Sequence, residues 1–303
     1  MRIAPIAVRT PLLRLEVDAE ARIYLKLETL QPVNSFKIRG AGNAILRASD
    51  AELARGVVTA SAGNMAQGVA YAARLRGVPA TIVVPEGAPA TKLAAVERLG
   101  GTLVSLPYDD WWTVLVEGRF DAAPGLFVHP VDNDAVMAGN GTIGLELLEQ
   151  LPDLDAVVVP FGGGGLITGI ASALKALRPG IRVVSVEPDT GAVAAASLAA
   201  GGPTEIDYVR SFVDGAGSRS VIPRVFAHAR ELIDDAVGVP LEAAAAAVRL
   251  IAERMRVISE GAGALALAAA LAGDAGGGKV VCIVSGGNID PAVLGRILAG
   301  ETP

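Results

Sequence analysis

The stretch Ala156-Val-Val-Val-Pro-Phe-Gly-Gly-Gly-Gly-Leu-Ile167 joins an apolar run to four consecutive glycines and then to residues with helical spacing. It predicts a strand, a tight turn and a helix from about Ile167. The four glycines free the backbone to turn several N–H groups toward one point, beside the positive end of the helix dipole. We therefore expect this turn to bind a phosphate group; the alternative is a flexible turn without a ligand.

The residues after the glycines limit the kind of ligand. They lack the Lys-Ser/Thr pair of a nucleotide-binding P-loop, and the glycines lack the spacing of a dinucleotide-binding turn. A single phosphate group therefore fits this turn better than ATP or NAD.

Short β-rich runs alternate with segments of helical length on both sides of this stretch. The predicted strands are residues 57–61, 80–85, 102–106, 126–129, 156–161, 182–187 and 279–284. The predicted helices include residues 65–76, 91–99, 143–151, 167–177 and 242–254. This alternation favours an α/β fold with a mostly parallel sheet, and strands that are apolar on both faces indicate helix layers on both sides.

Length and charge exclude several classes of protein. A chain of 303 residues can form one or two domains, with a core large enough for an enzyme. The net charge of −6 is not gathered in long runs, so nucleic acid and membranes are not expected partners. The longest apolar stretch, residues 261–273, is too short to cross a bilayer and predicts a buried helix. Because no apolar signal segment precedes Arg9 and Arg14, we expect a cytoplasmic protein.

Cysteine and histidine are too scarce for several kinds of site. The single cysteine, Cys282, lies in an apolar run and predicts an inert core thiol without an intrachain disulfide. His129 and His228 are the two histidines, which is little material for a zinc site or a Ser-His-Asp triad.

Lys37, within Asn34-Ser-Phe-Lys-Ile-Arg-Gly40, is the candidate nucleophile. Lysine is rare in this chain, with five residues against 21 arginines. A lysine amine forms an imine with an aldehyde, whereas an arginine guanidinium does not. Without further context, a solvated surface charge is the commoner explanation for such a lysine.

Two more polar turns follow predicted strands. Ser61-Ala-Gly-Asn-Met-Ala-Gln67 leads into a helix, where its N–H groups could hold a carboxylate or its polar side chains could merely cap the helix. Ser285-Gly-Gly-Asn288 places a hydroxyl at the carboxyl edge of the sheet, where open α/β folds bind ligands.

Together these four motifs resemble those of the fold-type II pyridoxal-phosphate enzymes, specifically the serine/threonine dehydratase (threonine ammonia-lyase) family. The resemblance extends over most of the chain and includes Thr10-Pro-Leu12, Leu25-Lys-Leu-Glu28 and Ala138-Gly-Asn-Gly-Thr-Ile-Gly-Leu-Glu146. It implies a fold like that of the tryptophan synthase β subunit, with two open, mostly parallel α/β domains and the cofactor in the cleft between them. By this resemblance, residues 1–55 and 134–303 form a large pyridoxal-phosphate-binding domain, and residues 56–133 form a small domain.

The same resemblance assigns roles to individual residues. It implies that Lys37 carries pyridoxal 5′-phosphate as a Schiff base, that Phe36 lies near the ring, and that Asn64 bonds the phenolic oxygen. Ser285 is expected to face the pyridine nitrogen. The phosphate is expected at Gly162, Gly163, Gly164, Gly165 and Leu166, and the substrate at Ser61, Ala62, Asn64 and Met65.

The resemblance also implies a reaction. It predicts a lyase that eliminates water from a small-molecule substrate, a β-hydroxy-L-amino acid such as threonine or serine, to give a 2-oxo acid and ammonia. A racemase, a β-replacement enzyme of the same fold, or a dehydratase for hydroxyaspartate or an aryl-serine remains the alternative. The family likeness favours a homodimer.

Several positions depart from the family pattern. Ala62 stands where relatives that racemise serine have a second serine, so we expect racemisation to be weak or absent. Met65 stands where many relatives have histidine. Glu187 matches one ligand of a cation site, but Val193 replaces the second carboxylate, so we expect no divalent ion; a monovalent cation near Glu187 stays open.

Trp111 and Trp112 stand where relatives have small or polar residues. They are interpreted as core or interface residues, and the alternative is that they line a pocket for a larger substrate.

Overall fold

The computed structural model describes residues 2–88 and 90–303, which divide into two compact units. The first unit comprises residues 2–8 and the described part of Gln31–Asn140. The second comprises Arg9–Leu30 and Gly141–Pro303. Among the described helices, none is both long and apolar enough to span a lipid bilayer.

Strands and helices alternate along most of the described chain. The strands are β1 (Leu12–Arg14), β2 (Arg22–Leu27), β3 (Val57–Ala60), β4 (Ala80–Pro85), β5 (Gly101–Leu106), β6 (Leu126–Phe127), β7 (Ala156–Pro160), β8 (Arg182–Pro188), β9 (Asp235–Val239) and β10 (Lys279–Val284). The α-helices are α1 (Lys37–Arg47), α2 (Asp50–Leu53), α3 (Asn64–Arg76), α4 (Ala90–Arg98), α5 (Tyr108–Glu117), α6 (Asp134–Gln150), α7 (Gly165–Leu177), α8 (Val193–Ala200), α9 (Pro223–Ala229), α10 (Leu241–Met255), α11 (Gly261–Ala272) and α12 (Pro291–Leu298).

The first unit is built on a parallel sheet with the strand order β5-β4-β3-β6. The residues of β3 are all buried, as expected for a β-branched strand with helices on both faces. The one polar side chain of β3, Thr59, donates its hydroxyl to the Val128 carbonyl at 2.8 Å. Helix α3 packs against α1, so the segments that begin at Lys37 and Asn64 lie side by side.

The second unit is built on a sheet with the strand order β1-β2-β10-β7-β8-β9. Its strands pair in parallel, except that β1 runs antiparallel to β2 at one edge. Helix α11, the predicted buried helix of residues 261–273, packs against β7, β8, β9 and β10. Parallel pairing places the carboxyl ends of β7, β8 and β10 at one edge of the sheet. The predicted α/β class with mostly parallel sheets is confirmed.

The limits of the compact units differ from the predicted domain limits at residues 56 and 133. The first unit also contains residues 31–55 and 134–140. The reason is packing: α1 lies on α3, and the helical glycines Gly40 and Gly139 allow α1 and α6 to approach closely. A Cβ on Gly139 would lie 2.2 Å from the Arg39 carbonyl oxygen.

The sequence pattern did not predict β1, β2 and β9, and it placed the start of α6 nine residues late, at 143 instead of 134. The predicted helix was shorter than α6 because the glycines of α6 weaken the helical pattern in the sequence. In the structure these glycines let α6 approach neighbouring backbone closely. A Cβ on Gly141 would lie 2.8 Å from the Gly169 carbonyl oxygen. Strand β2 was missed because Lys26, which is fully buried, reads as a surface residue.

A buried polar network explains the three further motifs that the sequence singled out. Lys26 Nζ lies 2.5 Å from Glu146 Oε2 and donates to the Thr10 carbonyl and Gln150 Oε1, both at 2.8 Å. The Thr10 hydroxyl donates to Glu28 Oε1 at 2.6 Å. The network joins the segment before β1, the strand β2 and the helix α6. Its charged groups tolerate burial because they are paired and hydrogen-bonded.

The network predicts a large penalty for removing one charge alone. In Glu146→Leu the Lys26 ammonium stays buried without its carboxylate, and we expect a loss of about 3–5 kcal/mol in the free energy of unfolding. The double variant Lys26→Met/Glu146→Leu removes both charges and should recover most of that loss. Urea denaturation followed by circular dichroism measures both changes.

The exposed pair Arg9–Glu149, with side chains 49% and 63% exposed, provides the control. Glu149→Gln should cost less than about 1 kcal/mol. Equal losses in the single and double variants would contradict this account of the network.

Candidate functional site

Lys37 is the first residue of α1 and is half-buried. Its Nζ atom lies 3.4 Å from the Pro130 carbonyl oxygen and 5.2 Å from the centroid of the Phe36 ring. The backbone before it turns sharply, because Asn34 has a φ of 53°, in the left-handed region. Gly68 of α3 meets the Lys37 backbone, where a Cβ would lie 3.2 Å from the carbonyl carbon and oxygen. The backbone of Lys37 is therefore held between its own turn and α3.

The turn between β3 and α3 contains the residues predicted to bind substrate. Ser61, Ala62 and Asn64 are half-buried, and a Cβ on Gly63 would meet no other atom within 4 Å. Helix α3 begins at Asn64 without a side-chain cap and without an acidic residue in its first turn. Its positive end is therefore suited to a carboxylate.

Met65 differs from the other predicted substrate residues in its surroundings. It is 1% exposed and belongs to the hydrophobic core of the first unit. This burial favours a packing role, and its contact with substrate stays a prediction.

The predicted phosphate turn follows β7 in the second unit. Gly162 and Gly163 are half-buried, whereas Gly164, Gly165 and Leu166 are buried. Gly164 has a φ of +89° and precedes α7, which carries no acidic residue in its first turn. A Cβ on Gly164 would lie 2.8 Å from Val225 Cγ1. Glycine is required there, and the turn presents backbone N–H groups at the positive end of a 13-residue helix.

Ser285 directly follows β10 and is 4% exposed. Because β10 pairs in parallel with β7, Ser285 and the glycine turn lie at the same edge of the second unit's sheet. The Gly286 carbonyl accepts a hydrogen bond from the Glu260 N–H at 3.0 Å. A Cβ on Gly287 would lie 2.2 Å from the Thr29 hydroxyl oxygen. The loop that carries Ser285 is therefore tightly packed on both sides.

Sequence reasoning missed Glu260 and the segment Asp214-Gly-Ala-Gly-Ser218, which lie beside the glycine turn. A Cβ on Gly162 would lie 3.3 Å from the Gly215 carbonyl oxygen, and one on Gly215 would lie 3.4 Å from Glu260 Oε1. Glu260 is 5% exposed. A run of small residues after Asp214 was the signal available in the sequence, but nothing in that run alone predicts proximity to residues 162–165.

Glu187, at the end of β8, caps α8. Its Oε2 accepts hydrogen bonds from the N–H groups of Ala194 and Ala195, at 2.8 and 3.3 Å. Within the described part of the chain, Oε1 has no hydrogen-bond partner. Burial raises the pKa of Glu187 to about 8, against the lowering effect of the backbone N–H groups. Among residues 2–88 and 90–303, no group of three His, Cys, Asp or Glu side chains is arranged to hold a metal ion. A monovalent cation near Glu187 stays a prediction.

The raised pKa of Glu187 predicts a pH-dependent stability. Between the ordinary pKa of 4.5 and about 8, the folded state keeps a proton that the unfolded chain releases. The contribution of Glu187 to the free energy of unfolding therefore decreases as pH rises through this window, and then levels off. Thermal denaturation at several pH values should show this decrease in the wild type and not in Glu187→Gln.

Glu253→Gln, which alters an exposed carboxylate on α10, serves as the control and should keep the wild-type pH profile. An identical pH profile in Glu187→Gln and the wild type would show that the pKa of Glu187 is the same in the folded and unfolded states, which contradicts the raised pKa. Repeating the series with potassium chloride in place of sodium chloride tests whether a cation at Glu187 reduces the effect.

The aromatic pair at 111 and 112 is accounted for by packing. Trp111 contacts the small core cluster above β3 and β4, and its indole N–H donates to the Val83 carbonyl at 3.1 Å. Trp112 is 42% exposed and stacks on Tyr108, with ring centroids 6.5 Å apart. These contacts favour the interpretation as core and surface residues over a pocket lining.

Cys282 is fully buried in β10, and burial raises the pKa of its thiol. This environment agrees with the predicted inert core thiol.

Comparison with known proteins identifies the relatives of this chain. The model of the family described as pyridoxal-phosphate dependent enzyme matches residues 3–286. L-threonine ammonia-lyase of Thermotoga maritima is 41% identical over 279 residues, which cover 91% of this chain and 69% of that protein. Serine racemase of Oryza sativa subsp. indica is 39% identical over 311 residues, which cover 97% of this chain and 89% of that protein. The processed form of threonine deaminase isoform 2 from Solanum lycopersicum superposes with a TM-score of 0.91 at 36% identity, covering 99% of this chain and 90% of that one.

The chain's own residues fit pyridoxal phosphate. The glycine turn before α7 is a cradle that a Cβ at Gly164 would disturb, and α7 brings no competing carboxylate to it. Ser285 supplies a hydroxyl at the same sheet edge, and Lys37 supplies an amine. Phosphate, ring nitrogen and aldehyde thus each have a chemically matched group.

Substitution of Gly164 in the glycine turn should weaken cofactor binding selectively. Gly164→Ala brings a methyl group within 3.0 Å of Val225 and forces alanine to a φ of +89°. We expect pyridoxal phosphate, titrated by absorbance, to bind at least about tenfold more weakly. Gly201→Ala is the matched control, because Gly201 has a φ of +73° but open space around it. It should lose about 1 kcal/mol of stability and keep wild-type binding; equal weakening in both variants would contradict a phosphate role for the turn.

Proposed function

This chain belongs to the pyridoxal-phosphate dependent enzymes, and we propose that it eliminates water from a β-hydroxy-L-amino acid such as threonine or serine, releasing a 2-oxo acid and ammonia. The observation that carries the proposal is the combination of Lys37, the glycine turn and Ser285 in a chain about 40% identical to threonine ammonia-lyases. The reaction class is a carbon–oxygen lyase. Pyridoxal 5′-phosphate is the cofactor of the family.

Lys37 is the proposed catalytic residue. Its amine would hold the cofactor aldehyde and, when free, would act as the general base that accepts the substrate Cα proton at Nζ. When bound, the cofactor supplies an electron-withdrawing ring that stabilises negative charge at Cα. Phe36 limits the space beside the amine, since its ring centroid is 5.2 Å from Nζ.

The remaining site residues bind and orient. Residues Gly162 to Gly165 and Leu166 are proposed to donate backbone N–H groups to the phosphate, and Asn64 to bond the phenolic oxygen. Ser285 offers a neutral hydroxyl to the ring nitrogen. A hydroxyl favours the protonated ring nitrogen less than a carboxylate does, which suits prompt elimination.

The substrate carboxylate is proposed to lie at the start of α3. Ser61, Ala62 and Asn64 surround this end of the helix, and no acidic side chain in the first turn opposes an anion. Backbone N–H groups at a helix N-terminus bind carboxylates through hydrogen bonds and the helix dipole.

The strongest rival is an amino-acid racemase, since serine racemases are among the relatives. Racemisation needs a proton donor on the face of Cα opposite the lysine. Ala62 stands where racemising relatives carry a serine, and its methyl group cannot supply that proton. Elimination is therefore favoured over racemisation. β-Replacement, or the dehydration of a larger substrate such as hydroxyaspartate or an aryl-serine, would use the same fold.

The oligomeric state and the cellular location of the enzyme are also proposals. We propose a homodimer in the cytoplasm, in line with the family likeness. The substrate partner is a free amino acid.

The central prediction is that a 2-oxo acid and ammonia form from threonine or serine and that Lys37→Ala abolishes their formation. The Lys37→Ala variant should also lose the absorbance band of the covalently attached cofactor. Lys92→Ala, a change to a lysine on α4, is the control and should keep activity and band.

The same assay separates the lyase from its rivals. D-serine formed from L-serine without a 2-oxo acid would put the racemase ahead. A band in the wild type without a 2-oxo acid from any hydroxy-amino acid would contradict the lyase. It would favour β-replacement, or a protein that binds the cofactor without turning over a substrate.

A further inference from the structure

His129 is buried beside the candidate lysine and has an unusual set of partners. It is 7% exposed, and its Nδ1 atom accepts hydrogen bonds from two backbone N–H groups, those of Val131 at 3.2 Å and Asp132 at 2.8 Å. One imidazole nitrogen thus holds the whole turn that follows it. This is the geometry by which Asn and Asp side chains form local turns with the backbone two and three residues on.

These two hydrogen bonds fix the protonation state of His129. A nitrogen that accepts two N–H groups carries a lone pair and no proton, so the imidazole is neutral with its proton on Nε2. Burial lowers the pKa of His129, and the nearby Lys37 charge acts in the same direction. Asp132 and a backbone hydrogen bond with Leu115 oppose this effect on the pKa.

The turn that His129 holds also contacts Lys37. The Pro130 carbonyl oxygen, which lies 3.4 Å from Lys37 Nζ, belongs to the same peptide unit as the Val131 N–H. The peptide bond is planar and trans, so its C=O and N–H groups point in opposite directions. When His129 Nδ1 fixes the N–H of this unit, it fixes the direction of the C=O toward Lys37 as well.

We propose that His129 is a positioning residue: through the Pro130–Val131 peptide, its Nδ1 orients the Lys37 amine. The inference rests on the proposed function of Lys37. His129 acts as a hydrogen-bond acceptor and neither takes nor gives a proton in the reaction. The requirement is for an acceptor atom at this place in the turn, which an asparagine side chain also supplies.

Two variants distinguish the role of the His129 acceptor atom from that of the side-chain volume. His129→Asn keeps an acceptor for the Val131 and Asp132 N–H groups but is smaller than histidine. His129→Leu fills more of the space beside Phe127 but has no acceptor. The rate at which the cofactor band appears after pyridoxal phosphate is added to the full-length apoprotein reports the reactivity of the amine, and the circular dichroism of that band reports its orientation.

We expect His129→Leu to slow the appearance of the band by at least about tenfold and to change its ellipticity, because a misplaced amine loses its reactive geometry. His129→Asn should stay within about threefold of the wild type, because it replaces one neutral acceptor by another. A wild-type rate in His129→Leu overturns the proposal. An asparagine variant as slow as the leucine variant overturns it too, because the imidazole itself or its volume would then be what matters.

If His129→Leu does not fold, the pH dependence of the rate of band appearance in His129→Asn and the wild type tests the proposal instead. Protonation at Nδ1 abolishes the acceptor in the wild type only, whereas the other charged groups near this turn, Lys37 and Asp132, are present in both proteins. The ratio of the wild-type rate to the His129→Asn rate should therefore fall as pH is lowered, and a constant ratio overturns the proposal. A band that persists in Lys37→Ala would instead show that the proposed function of Lys37 is wrong.

Discussion

The parallel pairing of β10 with β7 is the constraint on which the second unit depends. It brings the carboxyl ends of two distant chain segments to one edge of the sheet, in the register Cys282 to Val158. The glycine turn and Ser285 leave the sheet from that edge, and close approaches at Gly164 and Gly287 hold both loops in place. A slip of one residue in this register would turn every apolar side chain of the strand to the other face. Core packing therefore fixes the register, and the register fixes where the two loops begin.

The N-termini of α3 and α7 are the proposed anion-binding positions, one in each unit. Both α3 and α7 begin after a strand, at a turn containing glycine, and neither has an acidic residue in its first turn. Each is suited to an anion, which matches a substrate carboxylate and a cofactor phosphate. Lys37 then needs only a defined direction, and the neutral His129 turn supplies it through a carbonyl.

The sequence was most informative where local chemistry determines structure. The stretch from Ala156 to Ile167 predicted a strand, a turn and a helix, because apolar periodicity and glycine act over short distances. Tertiary contacts decided the rest. Buried Lys26 concealed β2, and the glycines of α6 looked like helix breakers although they are packing positions. Glu260 was not predicted, because its contact with Gly215 joins distant parts of the chain.

The central claim is that Lys37, of the five lysines, carries the cofactor. Borohydride reduction of the purified protein with bound pyridoxal phosphate, followed by peptide mapping, tests this claim directly. The account predicts one labelled peptide, modified at Lys37, and no label in Lys37→Ala. Label at Lys26, Lys92, Lys175 or Lys279, or a cofactor band that resists reduction in the wild type, would contradict it.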